Sequence, residues 1–524
     1  MKIARINEMR TLDRSAIENY GIIEEILMEN AGQAAYFALL KEFGVRNKTF
    51  AVVCGVGNNG GDGLVIARKI HSMGGHARVI ILSDPDRFKG AARTNFDIAQ
   101  KLDLELLLSG KPDDLKSVFE QSDVIIDAIF GTGLDRSVSG KYHTVIEHIN
   151  ASGKPVLALD IPSGINGNTG SVMGIAVQAH MTVTFGLPKL GNVLYPGFDF
   201  GGKLFVTHIS FPPSLHHSDH LAINVNQPLP LPERPVHGHK GTFGKALFIA
   251  GSSNYLGAPY FAAMAYLKAG GGLSFLATPD QVSQFIANKG SEIIMRPQQS
   301  TSAGSLAYSN KEALLKFAGE CEMVVLGPGV SLDKETTRLS CDLCRELDVP
   351  LLVDGDGLTA ISVDPDVVRN RQQPTVLTPH PGEMARLTSK TISDIQSDPI
   401  ESVVQLSRNL NAHIVLKGAH TIIYSPEGQV FINLSGNAGM ATAGSGDILT
   451  GIIAALFTQG FTFEAAIRNG VFLHGYAGDQ AEQTIGEDGM TASDILNTLP
   501  GALKLYRVSY SQIVENYYGK IHVL

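Results

Sequence analysis

Asp447 closes the stretch Ser435-Gly-Asn-Ala-Gly-Met-Ala-Thr-Ala-Gly-Ser-Gly-Asp447, which is rich in glycine and holds no other charge. Residues 448–460 are mostly apolar and free of proline. The pattern reads as a loop running into the start of a buried helix. A helix start offers free backbone N–H groups and partial positive charge, so it holds an anion. Glycines let the backbone approach a phosphate without side-chain interference. A lone carboxylate there repels phosphate unless it has a proton to take, so Asp447 is the candidate base for a hydroxyl.

A second constellation lies in the first half. Gly55-Val-Gly-Asn-Asn-Gly-Gly-Asp-Gly63 contains G-x-G-x-x-G at Gly55, Gly57 and Gly60. That is the dinucleotide fingerprint, with Asp84 placed to serve as its ribose-binding acid. A loop that only cradles a pyrophosphate does not need Asn58, Asn59 and Asp62, so a cation or a polar ring substituent is expected there too. Asp123–Asp127 runs into Gly131-Thr-Gly133, and Lys154–Asp160 into Ile-Pro-Ser163-Gly164. Ligands of a parallel sheet sit at the carboxyl ends of its strands, so Asn59, Asp127, Asp160 and Ser163 are expected to converge on one crevice. An oxygen-only cluster with one ionised carboxylate suits a hard cation, and one Asp, one amide and one hydroxyl suit a monovalent ion such as potassium better than zinc. Asp160 is the candidate proton shuttle. In the second half the strand-end polar residues are Asp354, Asp356, His380, Glu383, Lys417, Thr421 and Asp447. Phosphoryl transfer needs a phosphate cradle, an acid for magnesium and a base; the glycine-rich loop, Glu383 and Asp447 supply them in that order.

The elements that position these groups follow from the apolar patterning. Helices are expected over 7–20 and over 24–43, the second interrupted near Asn30-Ala-Gly32, with a buried strand over 49–54, a helix over 64–73 and a strand over 76–82. Strand-like segments at 181–185 and 203–208 close the first half. The second half opens with a strand at 245–250, a helix at 258–268 and a strand at 273–277, and continues the alternation. The fold class is therefore α/β: an N-terminal Rossmann-like three-layer domain and a second α/β domain with a largely parallel sheet. Prolines 212, 213, 228, 230, 232 and 235 mark a stiff linker, giving expected domains at 1–211 and 240–524 around a linker at 212–239.

Composition narrows the function. A net charge of −9, without a basic block, argues against nucleic acid as a partner. Anions must then be held by local N–H groups. The first residues lack an apolar signal core, and no run of about 18 apolar residues appears, so no membrane segment and a cytoplasmic location are expected. Cys341 and Cys344 form a single C-x-x-C, read as reduced thiols.

The second half resembles the ribokinase-like fold. Gly444-Ser-Gly-Asp447 matches its loop, and Thr378-Pro-His380-Pro-Gly-Glu383 its Thr-Pro-Asn-x-x-Glu motif, with His380 in place of Asn. Within that superfamily, His380-Pro-Gly-Glu-Met-Ala-Arg386 and Lys417-Gly-Ala-His-Thr421 look like the NAD(P)H-hydrate dehydratase branch. The first half resembles NAD(P)H-hydrate epimerases in Leu27-Met-Glu-Asn-Ala-Gly32, Asn58–Gly63, Gly131–Gly133 and Asp160–Gly164. The resemblance spans nearly the whole chain. It implies repair of hydrated NADH and NADPH: interconversion of the R and S hydrates, and ADP-dependent dehydration of the S hydrate to NAD(P)H with release of AMP and phosphate.

It further implies potassium at Asn59, Asp127 and Ser163. It implies that Asn58, Asn59, Gly60, Gly61 and Asp62 hold the hydrate, together with Gly131, Thr132, Gly133, Leu134, Asp135, Arg136, Ser137, Tyr142 and Asp160. In the second half the implied substrate contacts are Ala258, Gly329, His380, Pro381, Gly382, Glu383, Met384, Ala385, Arg386 and Asp447. ADP or ATP, with magnesium, is implied at Lys417, Gly418, Ala419, His420 and Thr421 and along the loop Asn437, Ala438, Gly439, Met440, Ala441, Thr442, Ala443, Gly444, Ser445 and Gly446. Asp160 and Asp447 are the expected catalytic residues, and a homo-oligomer is the expected assembly. The alternatives are a ribokinase-type kinase of a small alcohol or vitamin precursor, a NAD-dependent oxidoreductase built on 50–84, and a nucleotide-binding scaffold without activity.

Overall fold

The computed structural model describes every residue except 103, 109–111 and 113–114. The chain forms two compact units. Unit 1 comprises Met1–Asn224 and Gly519–Leu524, and unit 2 comprises Val225–Tyr518.

Unit 1 is built on a sheet ordered Ile521–Val523, Lys203–Thr207, Met181–Phe185, Val156–Leu159, Val124–Ala128, Thr49–Cys54, His76–Ile81 and Glu105–Leu108. Every neighbouring pair is parallel. Side chains alternate between faces, as the pleat requires. Val52, Cys54, Val79, Ile81 and Ile126 join one core with the helices Ile6–Tyr20, Glu24–Phe43, Asn58–Ser72 and Gly90–Lys101. Ala51, Val53, Ile80 and Ile125 join a second core with Leu115–Glu120 and Lys141–Ala151. Both faces are covered, which is why the strands read as continuous apolar runs.

Three features depart from the sequence expectation: Glu24–Phe43 runs without the interruption expected near Asn30-Ala-Gly32, the expected linker 212–239 is shared out between units that divide at Asn224 and Val225, and one helix starts early. The helix expected to start at Leu64 starts at Asn58. Glycines suggest a loop by propensity, but here their size permits packing. A Cβ on Gly60 would lie 1.9 Å from the Gly55 carbonyl oxygen, and one on Gly63 would lie 2.6 Å from Ala128 Cβ. The first helical turn therefore sits directly on the strand ends, and close packing overrides propensity.

Unit 2 has the strand order Val430–Ile432, Ile422–Tyr424, His413–Leu416, Thr375–Leu377, Leu351–Val353, Met323–Leu326, Lys245–Ile249, Leu273–Pro279 and Ile294–Gln298. From His413–Leu416 onward the pairing is parallel, and the first two strands form an antiparallel edge. One face carries the helices Gly257–Lys268, Ser445–Thr458, Phe463–Ile485 and Ala492–Val508 in a single core. The proline-rich residues 228–232 lack several N–H donors and serve unit 2 through their carbonyls. Those of Pro228, Leu229 and Pro232 accept from Tyr510 Oη, Tyr506 Oη and Arg507 Nη1. Among the described residues, no helix is long and apolar enough to cross a membrane.

Candidate active sites

In unit 1, Asp160 follows the strand Val156–Leu159 directly. Its φ of 69° puts an L-residue in the left-handed region, which is sterically disfavoured and concentrates at functional positions. The backbone is clamped there: Asp160 N–H donates to Val183 O at 2.8 Å, and its carbonyl accepts from Asn192 Nδ2 at 3.1 Å. Oδ1 pairs with Lys189 Nζ and accepts from Thr184 Oγ1 at 3.3 Å. Lys189 is 1% exposed and also donates to Thr184 Oγ1 at 3.0 Å and Phe185 O at 2.7 Å. Oδ2 faces Gly131, where a Cβ would lie 3.0 Å from it and 3.4 Å from Asn59 Cγ. Gly131, Asn59 and Asp160 therefore meet. Both polar atoms of the Asn59 amide are buried without a partner, at a cost that a ligand would relieve.

Asp127 and Ser163, 36 residues apart, form a second buried pair. Ser163 Oγ donates to Asp127 Oδ1 at 2.6 Å and its N–H to Oδ2 at 2.8 Å, while Phe130 N–H donates to Ser163 Oγ at 2.8 Å. Burial pushes the Asp127 carboxyl up to about 6. Asp62, also buried, is pushed well above the usual range by burial and then by Asp160.

The remaining expected contacts divide. Asn58 Nδ2 donates to Glu24 Oε1 at 3.0 Å, and Thr132 O accepts from Arg10 Nη2 at 3.3 Å. Tyr142 shares a 2.6 Å hydrogen bond with Ser83 and packs 4.9 Å from the Phe130 ring. Gly60 and Gly61 are buried in the helix start, and Leu134 lies against the second core. Gly133, Asp135, Arg136 and Ser137 are exposed.

Two groups escaped the sequence reading. Asp13, on the helix Ile6–Tyr20, has its carboxyl pushed up to about 6 by burial, with Lys189 opposing and Asp160 and Glu24 adding to the rise. Lys189 neutralises Asp160 from the loop after Met181–Phe185. The signal for Lys189 was available: it stands at another strand-to-loop junction.

In unit 2, the helix Ser445–Thr458 begins where the glycine loop ends, with Gly444 at φ 93° capping it and Asp447 in its first turn. Burial, then the charge of Asp354, push the Asp447 carboxyl up to about 7, against the pull of Lys417. Lys417 Nζ lies 2.6 Å from Asp354 Oδ1 and 3.9 Å from Glu383 Oε2. A Cβ on Gly446 would be 3.3 Å from the same ammonium, so the lysine stands beside the end of the loop. Thr378 Oγ1 donates to Asp354 Oδ1 at 2.7 Å. Asp356 accepts from Ser331 N–H at 2.8 Å, and burial raises its carboxyl. Burial likewise pushes Glu383 up to about 7.

His380 explains its own substitution. Its Nδ1 accepts from the backbone N–H groups of Gly382 and Glu383 at 3.0 and 3.3 Å, and its own backbone N–H donates to Glu383 Oε2 at 2.8 Å. That is the capping work an Asn would do at the start of Pro381–Thr388. Met384 and Ala385 are buried within that helix and do not face open space, whereas Arg386 is exposed. Gly329 and Ala258 adjoin: a Cβ on Gly329 would lie 3.1 Å from Ala258 Cβ.

In the loop, Ala438–Met440 form a tight turn, and Met440 packs against the helical core. Ala441 and Ala443 are exposed and Thr442 is half-buried. Ser445 Oγ is hydrogen-bonded to His474 Nε2 at 3.2 Å, and burial pushes that imidazole down to about 4, so it is neutral. Gly418 and Ala419 are exposed, His420 is buried, and Thr421 Oγ1 closes the turn onto Gly418 O at 3.2 Å. Among the described residues, no three His, Cys, Asp or Glu side chains form a ready metal cage.

Two family profiles match the chain. One, described as YjeF-related protein N-terminus, covers residues 24–191, and one described as NAD(P)H-hydrate dehydratase covers 246–501. A bifunctional NAD(P)H-hydrate repair enzyme of Thermofilum pendens is 47% identical over 523 residues, covering 99% of this chain and 100% of that one. One of Moorella thermoacetica is 41% identical over 529 residues, with 99% and 100% covered. Among solved structures, an ADP/ATP-dependent NAD(P)H-hydrate dehydratase of Bacillus subtilis, co-crystallised with ATP and magnesium, is 28% identical. It covers 53% of this chain and 95% of its own, with a TM-score of 0.45.

Proposed function

The chain belongs to the bifunctional NAD(P)H-hydrate repair enzymes, and on that footing we propose how its two units divide the work. Unit 1 interconverts the R and S hydrates of NADH and NADPH. Unit 2 dehydrates the S hydrate at the expense of ADP or ATP. The observation that carries the second assignment is Asp447: a carboxyl raised to about 7, one turn into a glycine-capped helix and beside Lys417.

Hydroxide is a poor leaving group, so the C6 hydroxyl of the hydrate is first phosphorylated. Asp447 takes the hydroxyl proton as the oxygen attacks the terminal phosphorus, and the phosphoanhydride bond breaks to release the shortened nucleotide. Backbone N–H groups at the start of Ser445–Thr458 and the Lys417 ammonium stabilise the charge on the phosphoryl oxygens. The ring nitrogen then expels phosphate from C6, and loss of a C5 proton restores the double bond. Magnesium would be held by Glu383 and the nucleotide's own phosphates, neutralising their charge. The buried carboxyl of Glu383, pushed up to about 7 by burial, fits that role, since a dication would relieve the burial of its ionised form.

In unit 1, Asp160 takes the C6 hydroxyl proton as the C6–N1 bond breaks to leave a C6 aldehyde, the electron pair passing to N1 and its conjugated carboxamide; N1 then attacks the other face of that carbonyl, the C6–N1 bond re-forms and Asp160 returns the proton, while Lys189 holds one of its oxygens. The unpartnered amide of Asn59 and the buried Asp127–Ser163 pair are an oxygen-rich set suited to potassium. The ion would orient substrate oxygens beside Asp160. We place the enzyme in the cytoplasm, where four free, buried cysteines persist as thiols.

Replacing Asp447 by Asn tests the assignment. Recovery of NADPH absorbance from the S hydrate is expected to be lost while R and S continue to equilibrate; recovery at the wild-type rate would overturn the role of Asp447.

A further inference from the structure

Asp479 stands on the helix Phe463–Ile485 behind the glycine-rich loop. Its Oδ2 accepts from Gly436 N–H at 3.0 Å and from Tyr518 Oη at 2.8 Å. Its Oδ1 accepts from Asn437 Nδ2 at 3.0 Å. With the amide nitrogen held in this way, Asn437 turns its Oδ1 into a buried position where no protein donor meets it. A buried, unpartnered acceptor at the first residue of a ligand loop is what a bound donor would satisfy.

Tyr518 reaches Asp479 through an unfavourable backbone. Asn516, Tyr517 and Tyr518 have φ of 49°, 50° and 65°, three consecutive L-residues in the left-handed region. Such runs persist only where surrounding contacts hold them. Here the Tyr518 ring packs edge-on to Phe472 at 5.2 Å and against Tyr476 at 6.0 Å, and its hydroxyl ends on the carboxylate that aims Asn437.

We propose that Tyr518 is a positioning residue for nucleotide recognition: through Asp479 it fixes Asn437 so that the amide oxygen accepts a hydrogen bond from a donor on the bound adenine nucleotide. The inference rests on reading residues 437–446 as the nucleotide cradle. It gives the C-terminal tail a role in the dehydratase site, beyond the phosphate contacts of the helix start.

Calorimetric titration of the full chain with magnesium-ADP tests it. Tyr518→Phe keeps the ring and removes only the hydroxyl; it is expected to weaken ADP binding by about three- to tenfold, the worth of one hydrogen bond. Asn437→Ala is expected to weaken binding comparably, and the double variant to bind no worse than Asn437→Ala alone, because one acts through the other. Tyr510→Phe removes a tail hydroxyl that bonds Pro228 O instead, and is expected to leave ADP binding unchanged. Wild-type binding by Tyr518→Phe, losses that multiply in the double variant, or an equal loss in Tyr510→Phe would each overturn the proposal. Hydrogen exchange separates it from its premise. If ADP protects 436–446 in the wild type and Tyr518→Phe binds normally, only the positioning role falls; if ADP leaves 436–446 unprotected, the cradle and the positioning role fall together.

Discussion

At Asp447 burial and the neighbouring carboxylates of Asp354, Asp356 and Glu383 together outweigh the opposing pull of Lys417. A carboxylate acting as base must be ionised, so raising its pKa to about 7 moves the acid limb of the dehydration rate to near pH 7, well above the usual carboxylate range. Glu383, also near 7, titrates in the same cluster, so the limb belongs to the pair. Lys417 lowers Asp447, so Lys417→Met is expected to move that limb to higher pH as well as slow the reaction; a limb that stays put would remove Lys417 from the cluster's electrostatics. Asp127 makes a separate prediction. Its folded pKa of about 6 lies above the unfolded value, so its contribution to stability is fully present below about pH 4 and is lost as pH rises through 6. A cation on the ionised carboxylate would restore what is lost. Potassium is therefore expected to raise the thermal midpoint of unit 1 at pH 7.5 relative to tetramethylammonium, and Asp127→Asn to abolish the difference.

At the scale of elements, both sites depend on helices that begin hard against strand ends. The sequence announced many of the junctions, since glycine follows soon after the apolar runs ending at Cys54, Ala128, Leu159, Ile249 and Leu326; it placed Asp160 at one of them and Asp447 where the late glycine-rich loop meets a helix. It did not show where the helix Asn58–Ser72 starts, because Asn58-Asn-Gly-Gly-Asp-Gly63 reads as a loop until the Gly55 carbonyl and Ala128 are known to lie against it. The same close approach fixes the helix that carries Asp447. A Cβ on Gly451 would lie 2.3 Å from the Ala262 carbonyl oxygen in Gly257–Lys268. Gly451→Ala is expected to destabilise unit 2 by about 1–3 kcal/mol in urea unfolding. An unchanged midpoint would mean that the two helices can part without cost.

At the scale of the molecule, local patterns revealed two α/β units but not the long-range partners. Lys189 stands at a strand-to-loop junction and Asp13 has no such mark, yet nothing in the sequence pairs either of them with Asp160, which lies 29 residues from Lys189. Likewise no periodicity in the last residues shows that Ile521–Val523 pairs with Lys203–Thr207. Such contacts depend on how the sheet closes, which motif spacing does not encode. The division of labour between the units has its own test. Mixing the Asp160→Asn and Asp447→Asn variants is expected to restore turnover of the R hydrate that neither performs alone, because the S hydrate made by one is consumed by the other. Failure of the mixture would mean that the activities are not assigned to separate units as described.

The most direct measurement is absorbance at the reduced-nicotinamide band when the purified chain meets a mixture of R and S NADPH hydrates, with magnesium and potassium, and with ADP, ATP or no nucleotide. Full recovery of NADPH with a nucleotide, none without it, and one phosphate released per molecule restored is the predicted result. A stable phosphorylated product without NADPH, or recovery that proceeds without nucleotide, would contradict the account.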